Sequence, residues 1–105
     1  MTEGGKTMTI TTNKNDKALV IALEGRLDTM TAPELEAELN KTMGDADSLT
    51  LDFAKLDYIS SAGLRVLLSA HKTMSGKGGM KIKNVNEIVQ EVFEVTGFSD
   101  ILTIE

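Results

Sequence analysis

The sequence predicts an α/β fold: a mixed four- to five-stranded sheet with helices packed on it, in the order β-β-α-β-α-β-α(-β). Two strand-like segments open the chain with only a turn between them, which indicates an antiparallel hairpin. Strand-like and helical patterns then alternate, and strand-helix-strand units are right-handed crossovers that make neighbouring strands parallel. The chain has 105 residues, of which 41% are apolar, so it has room for one core and one domain.

The predicted hairpin joins Met8–Thr12 to Lys17–Glu24 through the turn-forming stretch Asn13–Asp16. The preceding residues 1–7 are polar and carry no apolar pattern that would dock on a core. We therefore expect a flexible N-terminal tail over residues 1–7 and one folded domain over residues 8–105.

A helix-start signal follows the hairpin. Thr31 stands at the predicted N-cap, Pro33 falls in the first turn, and Glu34 has the position of a capping box. The apolar stripe of this helix stops at Gly44, where the helix is predicted to end. The next segment, Ser48–Phe53, alternates between polar and apolar residues and is predicted as the third strand.

The rest of the chain is predicted to supply two more helices and two more strands. The second helix covers Ala62–Met74, and Met80–Asn84 follows it as a short strand after a glycine-rich turn. The third helix covers about Asn86–Val95 and ends at Gly97, and Ile101–Ile104 forms a last edge strand. The second helix is predicted to be broadly buried, with one face formed by Leu64, Leu67, Leu68 and the ring of His71 and flanked by Val66, Ala70 and Met74. The third is predicted to point Ile88, Val92 and Val95 inward, with Val89 beside them.

Charge and composition exclude several function classes. The net charge is −5 without a basic stripe, so we expect no nucleic-acid partner. The apolar runs are far shorter than the ~20 residues of a membrane-spanning helix, and the polar N-terminus lacks the apolar segment of a secretory signal. We therefore expect a cytoplasmic protein without membrane insertion. The lack of cysteine excludes disulfides, thiolate zinc sites and cysteine nucleophiles, and a single histidine, His71, excludes multi-histidine metal sites. No metal site, cofactor or catalytic residue is predicted.

Two loops, holding Gly25–Thr31 and Asp57–Gly63, are predicted to meet at the carboxyl edge of the strands, where the sites of such folds collect. The motif Glu24–Asp28, taken alone, is explained as a strand-end turn in which Gly25 supplies backbone freedom. The motif Asp57–Arg65, taken alone, is explained by serine N-capping of the second helix.

The second motif nevertheless has two features that capping does not require. One serine is enough for a cap, yet Ser60 and Ser61 stand together, and Gly63 in the first helical turn costs up to ~1 kcal/mol relative to alanine. Gly63 therefore indicates close approach by an external group. A phosphate on a serine here would be favoured by the helix amides and would add roughly −1.5 to −2 charges beside Asp28 and Asp57. Such a change is typical of a binary switch in partner binding.

Two further candidate sites are interpreted as structural. Ser75–Gly79 has the glycines and lysine of a phosphate-binding loop in the wrong order, so it is predicted to be a turn. Ser61 and His71 would lie about 15 Å apart along one helix, which is too far for a nucleophile and its base. His71 is therefore predicted to lie at the rim of the core.

With these motifs, residues 8–105 resemble the STAS domain family, and within it the anti-sigma factor antagonists of bacterial sporulation and stress responses. The stretch Glu24–Asp28 is similar to the family's G-x-L-D, and Tyr58–Leu64 is similar to its D-S-S/T-G-L. Val85–Phe98 extends the resemblance through Phe93, Thr96 and Gly97. The fold that the resemblance implies is the one that the strand and helix patterns predict.

The resemblance implies that the protein is a phosphorylation-controlled partner switch and not an enzyme. The family's phosphorylated residue corresponds to Ser61, and the motif aspartate corresponds to Asp28. The unphosphorylated protein would bind an anti-sigma factor that is also a serine kinase, and thereby free a sigma factor. Phosphorylation of Ser61 would dissociate the complex, and a PP2C-type phosphatase would reset it. The switch would work as a monomer.

Two positions depart from the strongest antagonist pattern. Ser60 stands where an aspartate often precedes the phosphorylated serine, and Ala62 stands where a second hydroxyl often follows. Ser60 is therefore an alternative phosphoacceptor. The partner-binding surface is predicted to consist of Arg26, Asp28, Thr29, Asp57, Ser60, Ala62, Gly63 and Arg65.

Two other functions stay open from the sequence. One is an accessory subunit of a membrane transport system, in which the STAS fold would dock on a membrane protein without phosphorylation. The other is a phospho-aspartate receiver using Asp52 in the third strand. A receiver also needs paired acids after its first strand and a lysine after a later strand, whereas this chain has a β-β start and fewer strand-helix units. A hydrolase is disfavoured because neither serine has a base near it in the predicted fold.

Overall fold

The computed structural model describes residues 8–105, which form five strands, three helices and two short 3-10 turns. The strands are β1 (Met8–Asn15), β2 (Ala18–Leu27), β3 (Ser48–Ile59), β4 (Met80–Lys83) and β5 (Thr103–Ile104). The helices are α1 (Ala32–Thr42), α2 (Ser61–Ser75) and α3 (Glu87–Thr96), and the 3-10 turns are Met43–Asp45 and Phe98–Asp100. The tail predicted over residues 1–7 lies outside the described residues.

The strands lie in one sheet in the order β1-β2-β3-β4-β5. β1 is antiparallel to β2, whereas β2, β3, β4 and β5 run parallel to their neighbours. Each parallel pair is connected through a helix, so the chain crosses the sheet in one direction. The predicted α/β fold, with a hairpin at one edge and parallel strands after it, is confirmed.

β2 and β3 extend further toward the carboxyl edge than the sequence predicted. Their pairing shifts register twice, between Ala22 and Glu24 and again after Gly25, and β3 supplies one extra residue each time. Gly25 has a φ of 109°, which glycine adopts without the penalty of a Cβ. Such bulges let pairing continue where the alternation of the sequence breaks down. The prediction that Gly25–Leu27 and Asp57–Ile59 lie in loops was therefore wrong, because both belong to strands.

The sheet has one buried face and one open face. The side chains of Leu19, Ile21 and Leu23 on β2 are buried, and those between them are not. β3 repeats this alternation from Leu49 to Phe53. Buried side chains of α1, α2 and α3 join the same core cluster, so the helices cover one face of the sheet and leave the other open.

The buried face of α3 differs from the prediction. Val89 and Phe93 are fully buried, whereas Ile88 is 59% and Val95 76% exposed. The prediction that Ile88 and Val95 point inward was therefore wrong, whereas Val92 is half-buried against the core. The Asn86 side chain fixes the orientation, because its oxygen accepts a hydrogen bond from the Val89 amide and its Nδ2 donates to the Leu56 carbonyl of β3 at 2.8 Å.

The turn after α2 has a structural role. α2 ends at Ser75, and the Lys77 ammonium donates hydrogen bonds to the carbonyls of Met43, Gly44 and Ala46 at the end of the α1 segment. The prediction of a plain turn here is confirmed. His71 is half-buried on α2, which also confirms its place at the rim of the core.

Candidate partner-binding site

The end of β2 and the residue just before α2 are in direct hydrogen-bonded contact. Leu27 pairs with Ile59 in the sheet, and the Ser60 amide donates a hydrogen bond to the Leu27 carbonyl at 2.9 Å. The following residue, Ser61, begins α2. The two motifs that the sequence predicted to meet at the carboxyl edge therefore do meet there.

Gly63 allows this junction to be tight. A Cβ added at Gly63 would lie 2.7 Å from Leu27 Cγ and 2.9 Å from Ile59 Cγ1, closer than real Cβ contacts. The glycine therefore serves close packing of α2 on the strand ends inside the domain. The prediction that Gly63 marks the approach of an external group was wrong.

The loop between β2 and α1 is held by Asp28 and Thr31. The Thr31 hydroxyl donates to the Arg26 carbonyl at 2.7 Å and accepts from the Asp28 amide at 2.8 Å. Asp28 Oδ1 in turn accepts from the amides of Met30 and Thr31. Thr31 occupies the N-cap position of α1, but its side chain does not cap the helix. The predicted Thr31 cap was therefore wrong, because the hydroxyl is committed to the strand end.

The Asp28 carboxylate is stabilised in its charged form. Its partial burial would raise its pKa, but hydrogen bonds from Thr31 and Met30, together with the Arg26 charge, outweigh this effect and lower the pKa below its ordinary value of 3.8. Arg26 Nε lies 3.6 Å from Asp28 Oδ2, and its guanidinium lies 4.4 Å from the centre of the Tyr58 ring. The site therefore presents a fixed negative charge beside an arginine that stacks on an aromatic side chain.

We expect Asp28 to make the stability of the domain depend on pH in the acid range. A carboxyl with a lowered folded-state pKa stabilises the fold above its unfolded-state pKa, and this stabilisation is lost as the pH falls through the folded-state value. At pH 7 the free energy of unfolding in urea should therefore be larger for wild type than for Asp28→Asn, and this difference should shrink as the pH is lowered to below 3.8. Asp45→Asn is the matched control, because Asp45 makes only a 3.8 Å ion pair with Lys14. A constant difference between wild type and Asp28→Asn over this range would contradict the prediction.

The two serines at the start of α2 differ in exposure. Ser60 is the N-cap residue in an extended conformation, but its hydroxyl oxygen is buried and has no hydrogen-bond partner within residues 8–105. Ser61 is exposed, and its hydroxyl makes no hydrogen bond in the described part of the chain. Neither serine side chain caps the helix, so the N-capping interpretation of this motif was wrong. Ser61 is thus an accessible hydroxyl without a structural hydrogen bond of its own.

A cleft of about 280 Å³ lies between the starts of α1 and α2, and Ala62, the residue after Ser61, is part of its lining. Three residues of the predicted partner-binding surface, Thr29, Ala62 and Arg65, line it. α1 supplies the part of the cleft that was not predicted from the sequence, which includes Pro33 and Glu36. The available signal was the topology, because successive parallel crossovers place the starts of neighbouring helices at one edge.

The other acidic residues considered from the sequence lie apart from this cleft. Asp57 is exposed in β3 and makes no hydrogen bond or ion pair within the described residues. Asp52 lies in the middle of β3, where Asn84 Nδ2 donates to its carboxylate at 2.9 Å. That hydrogen bond is the main cause of the lowered pKa of Asp52. A receiver needs its aspartate at the carboxyl end of a strand, so this position does not favour a receiver.

Two kinds of site are absent from residues 8–105. No helix in this range is long and apolar enough to cross a membrane. No group of three or more histidine, aspartate or glutamate residues in the same range is placed to hold a metal ion.

Comparison with known proteins assigns this fold and its motifs to one family. A family model described as "Mlab, STAS domain" matches residues 10–103. The chain belongs to the STAS domain family. Among its STAS relatives is BtrV of Bordetella bronchiseptica, which carries an assignment as an anti-sigma factor antagonist. It is 38% identical over 99 residues that cover 92% of this chain and 85% of BtrV. The anti-sigma-B factor antagonist of Bacillus subtilis is 27% identical and covers 87% and 84% of the two chains.

Solved structures show the same STAS fold. An anti-sigma factor antagonist from Mycobacterium paratuberculosis superposes with a TM-score of 0.85 at 20% identity, covering 93% of this chain and 85% of that one. The Bacillus cell fate determinant SpoIIAA in its phosphorylated form gives a TM-score of 0.72 at 18% identity, covering 92% and 91%. The relatives and structural neighbours of this chain thus include several anti-sigma factor antagonists.

Proposed function

We propose that this STAS domain is an anti-sigma factor antagonist whose partner binding is switched by phosphorylation of Ser61. The observation that carries the proposal is the exposed Ser61 hydroxyl, which has no hydrogen bond in the described chain and stands at the start of α2, next to the cleft residue Ala62. The names of the relatives support the role of antagonist. A solved phosphorylated form of SpoIIAA supports a phosphorylated state in this fold.

The start of α2 suits a phosphate chemically. The first amides of a helix have no acceptor within the helix, and in α2 the Leu64 amide is the first to bond back, to the Ser60 carbonyl. Together with the dipole of a 15-residue helix, these amides favour a negative group at Ser61. Phosphorylation therefore leaves the fold intact and adds roughly −1.5 to −2 charges at the start of α2, next to the cleft residue Ala62.

Burial favours Ser61 over Ser60 as the phosphoacceptor. A kinase must bring its nucleotide in line with the serine oxygen, and the Ser60 oxygen is buried while Ser61 is exposed. Phosphorylation of Ser60 would require α2 to move away from the strand ends, where Gly63 packs against Leu27.

The partner in this proposal is an anti-sigma factor that is also a serine kinase. This anti-sigma factor binds the edge of the unphosphorylated STAS domain and releases its sigma factor. It then transfers the γ-phosphoryl group of ATP to Ser61 with release of ADP. A PP2C-type phosphatase removes the phosphate again. The protein acts in the cytoplasm as a monomer and has no enzymatic activity. Its contact surface comprises Arg26, Asp28, Thr29, Asp57, Ser60, Ala62 and Arg65, whereas the buried Gly63 positions α2.

We expect Ser61→Ala to abolish phosphorylation and to keep the affinity for the partner. The measurement uses the anti-sigma factor kinase from the same genome, with phosphate incorporation from ATP and calorimetric titration as readouts. Ser61→Asp should bind at least about tenfold more weakly, because a desolvated charge mismatch in an interface costs more than about 1.4 kcal/mol. Ser69→Asp, an exposed serine further along α2, is the control that carries the same charge.

The outcomes separate the candidate functions. Equal binding by Ser61→Ala, Ser61→Asp and wild type would overturn the switch. If Ser61→Ala is still phosphorylated and the added substitution Ser60→Ala abolishes this phosphorylation, the phosphoacceptor is Ser60. Absence of phosphate on Ser61 in cells under growth and stress, with co-purification of a transport complex, would favour the transport accessory.

A further inference from the structure

α3 carries an apolar strip on its solvent side. Ile88, Val92 and Val95 follow one another at spacings of four and three, which places them on one face of a helix. Ile88 is 59% and Val95 76% exposed, and Val92 is half-buried between them. We call these three residues the α3 strip.

Neither the core nor helix formation requires the two exposed residues of the α3 strip. The contribution of α3 to the core comes from Val89 and Phe93, which are fully buried on the neighbouring face, and from the inner side of Val92, which packs against the core cluster. Branched residues such as isoleucine and valine are also weaker helix formers than the glutamate, lysine or alanine usual at exposed positions. Three of them in register on the solvent side of a ten-residue helix indicate a contact surface.

A row of carboxylates borders the strip on one side. Each residue advances about 100° around a helix, which places Glu87, Glu91 and Glu94 together on the flank away from Val89. All three are exposed, and they make no ion pair within residues 8–105. α3 has no basic residue, so nothing on the helix balances this charge.

From this pattern we infer that the α3 strip is a second docking surface for a helix of another protein that has an apolar face bordered by lysine or arginine. The apolar side chains of such a helix cover Ile88, Val92 and Val95, and its basic side chains meet the glutamate row. The surface is separate from the Ser61 cleft. The inference does not depend on phosphorylation of Ser61.

The charge pattern argues against a second copy of this chain as the occupant. Two α3 strips packed antiparallel would bring the two glutamate rows to the same side of the contact, and in either orientation the contact would join molecules that each carry a net charge of −5. Like charges placed together in an interface are unfavourable, and no base on α3 is available to relieve them. A basic amphipathic helix complements both parts of the surface.

The test uses a synthetic leucine-lysine peptide of about four helical turns, with all leucines on one face. A shuffled peptide of the same composition, without an apolar face, controls for simple charge attraction. Backbone NMR shifts of the full chain should change along residues 87–96 with the first peptide and not with the second. Ile88→Ser/Val95→Ser removes the two exposed residues of the strip without changing charge, and Glu91→Lys reverses one charge of the row. Each should weaken binding by about tenfold or more, a readily measured difference.

Asp45→Lys is the matched control for Glu91→Lys, because it makes the same charge change at another exposed position and should bind within about twofold of wild type. Equal affinity of the Ser variant and wild type, or shifts spread over the acidic surface away from α3, would overturn the inference. Sedimentation could also show that the chain dimerises with increasing concentration and that Ile88→Ser/Val95→Ser abolishes the dimer. This result would overturn the inference as well, because the occupant would then be a second copy of the chain.

Discussion

Phe93→Ala is expected to lower the free energy of unfolding by about 3–5 kcal/mol, the usual cost of removing a buried aromatic side chain. Phe93 is fully buried on α3 and belongs to the single core cluster. The matched control, Val95→Ala on the same helix, should stay within about 0.5 kcal/mol, because Val95 is 76% exposed. Urea unfolding followed by circular dichroism measures both.

The comparison of these two variants decides how α3 is rotated on the sheet. If Val95→Ala destabilised the domain more than Phe93→Ala, α3 would bury the face that the sequence pattern predicted. The α3 strip would then be part of the core, and the inferred docking surface would be lost with it.

The rotation of α3 could not be predicted from its sequence because the helix has two adjacent apolar stripes. Ile88, Val92 and Val95 form one, and Val89 and Phe93 form the other. Hydrophobic periodicity finds a helix with an apolar side but does not rank two neighbouring stripes. The observed rotation buries Phe93 in the core and is accompanied by the hydrogen bond from Asn86 to the Leu56 carbonyl, and both depend on contacts with residues distant in sequence.

The order of the elements was predictable because it depends on local patterns. The hairpin, the alternation of strands and helices and the end of α3 at Gly97, which has a φ of 82°, all followed from turn residues and periodicity. The bulges in β2 and β3 were not predictable. They depend on how two strands distant in sequence fit together, and alternation is the signal that they interrupt.

The meeting of the two motifs was predictable from topology alone, since parallel strands bring their carboxyl ends to one edge. The hydrogen bonding within the site was not. Thr31 and Ser60 both have the residue type and position of N-caps, yet Thr31 bonds back to the Arg26 carbonyl and the Ser60 oxygen is buried. Tertiary contacts override the local preference in both cases, as they do at Gly63.

The second large effect is expected at Gly63, where Gly63→Val should cost about 3 kcal/mol through overpacking. Even the first added atom would lie 2.7 Å from Leu27 Cγ, and Leu27 is fully buried and cannot swing into solvent. Gly44→Val is the matched control, because a Cβ at Gly44 meets nothing within 4 Å, and it should change stability by less than about 1 kcal/mol.

Removing the Leu27 side chain, with which the introduced valine collides, should recover part of the loss. Leu27→Ala alone is expected to cost about 2–5 kcal/mol as a cavity in the core. In the double variant the valine occupies that cavity, so the combined loss should fall short of the sum of the two single losses by more than about 1 kcal/mol. Because α2 begins at Ser61, Gly63→Val should also weaken partner binding by the unphosphorylated protein, and the double variant should restore it. Strict additivity of the stability losses would show that Gly63 is needed for something other than its packing on Leu27. The tight junction that holds Ser61 at the edge of the sheet would then need another explanation.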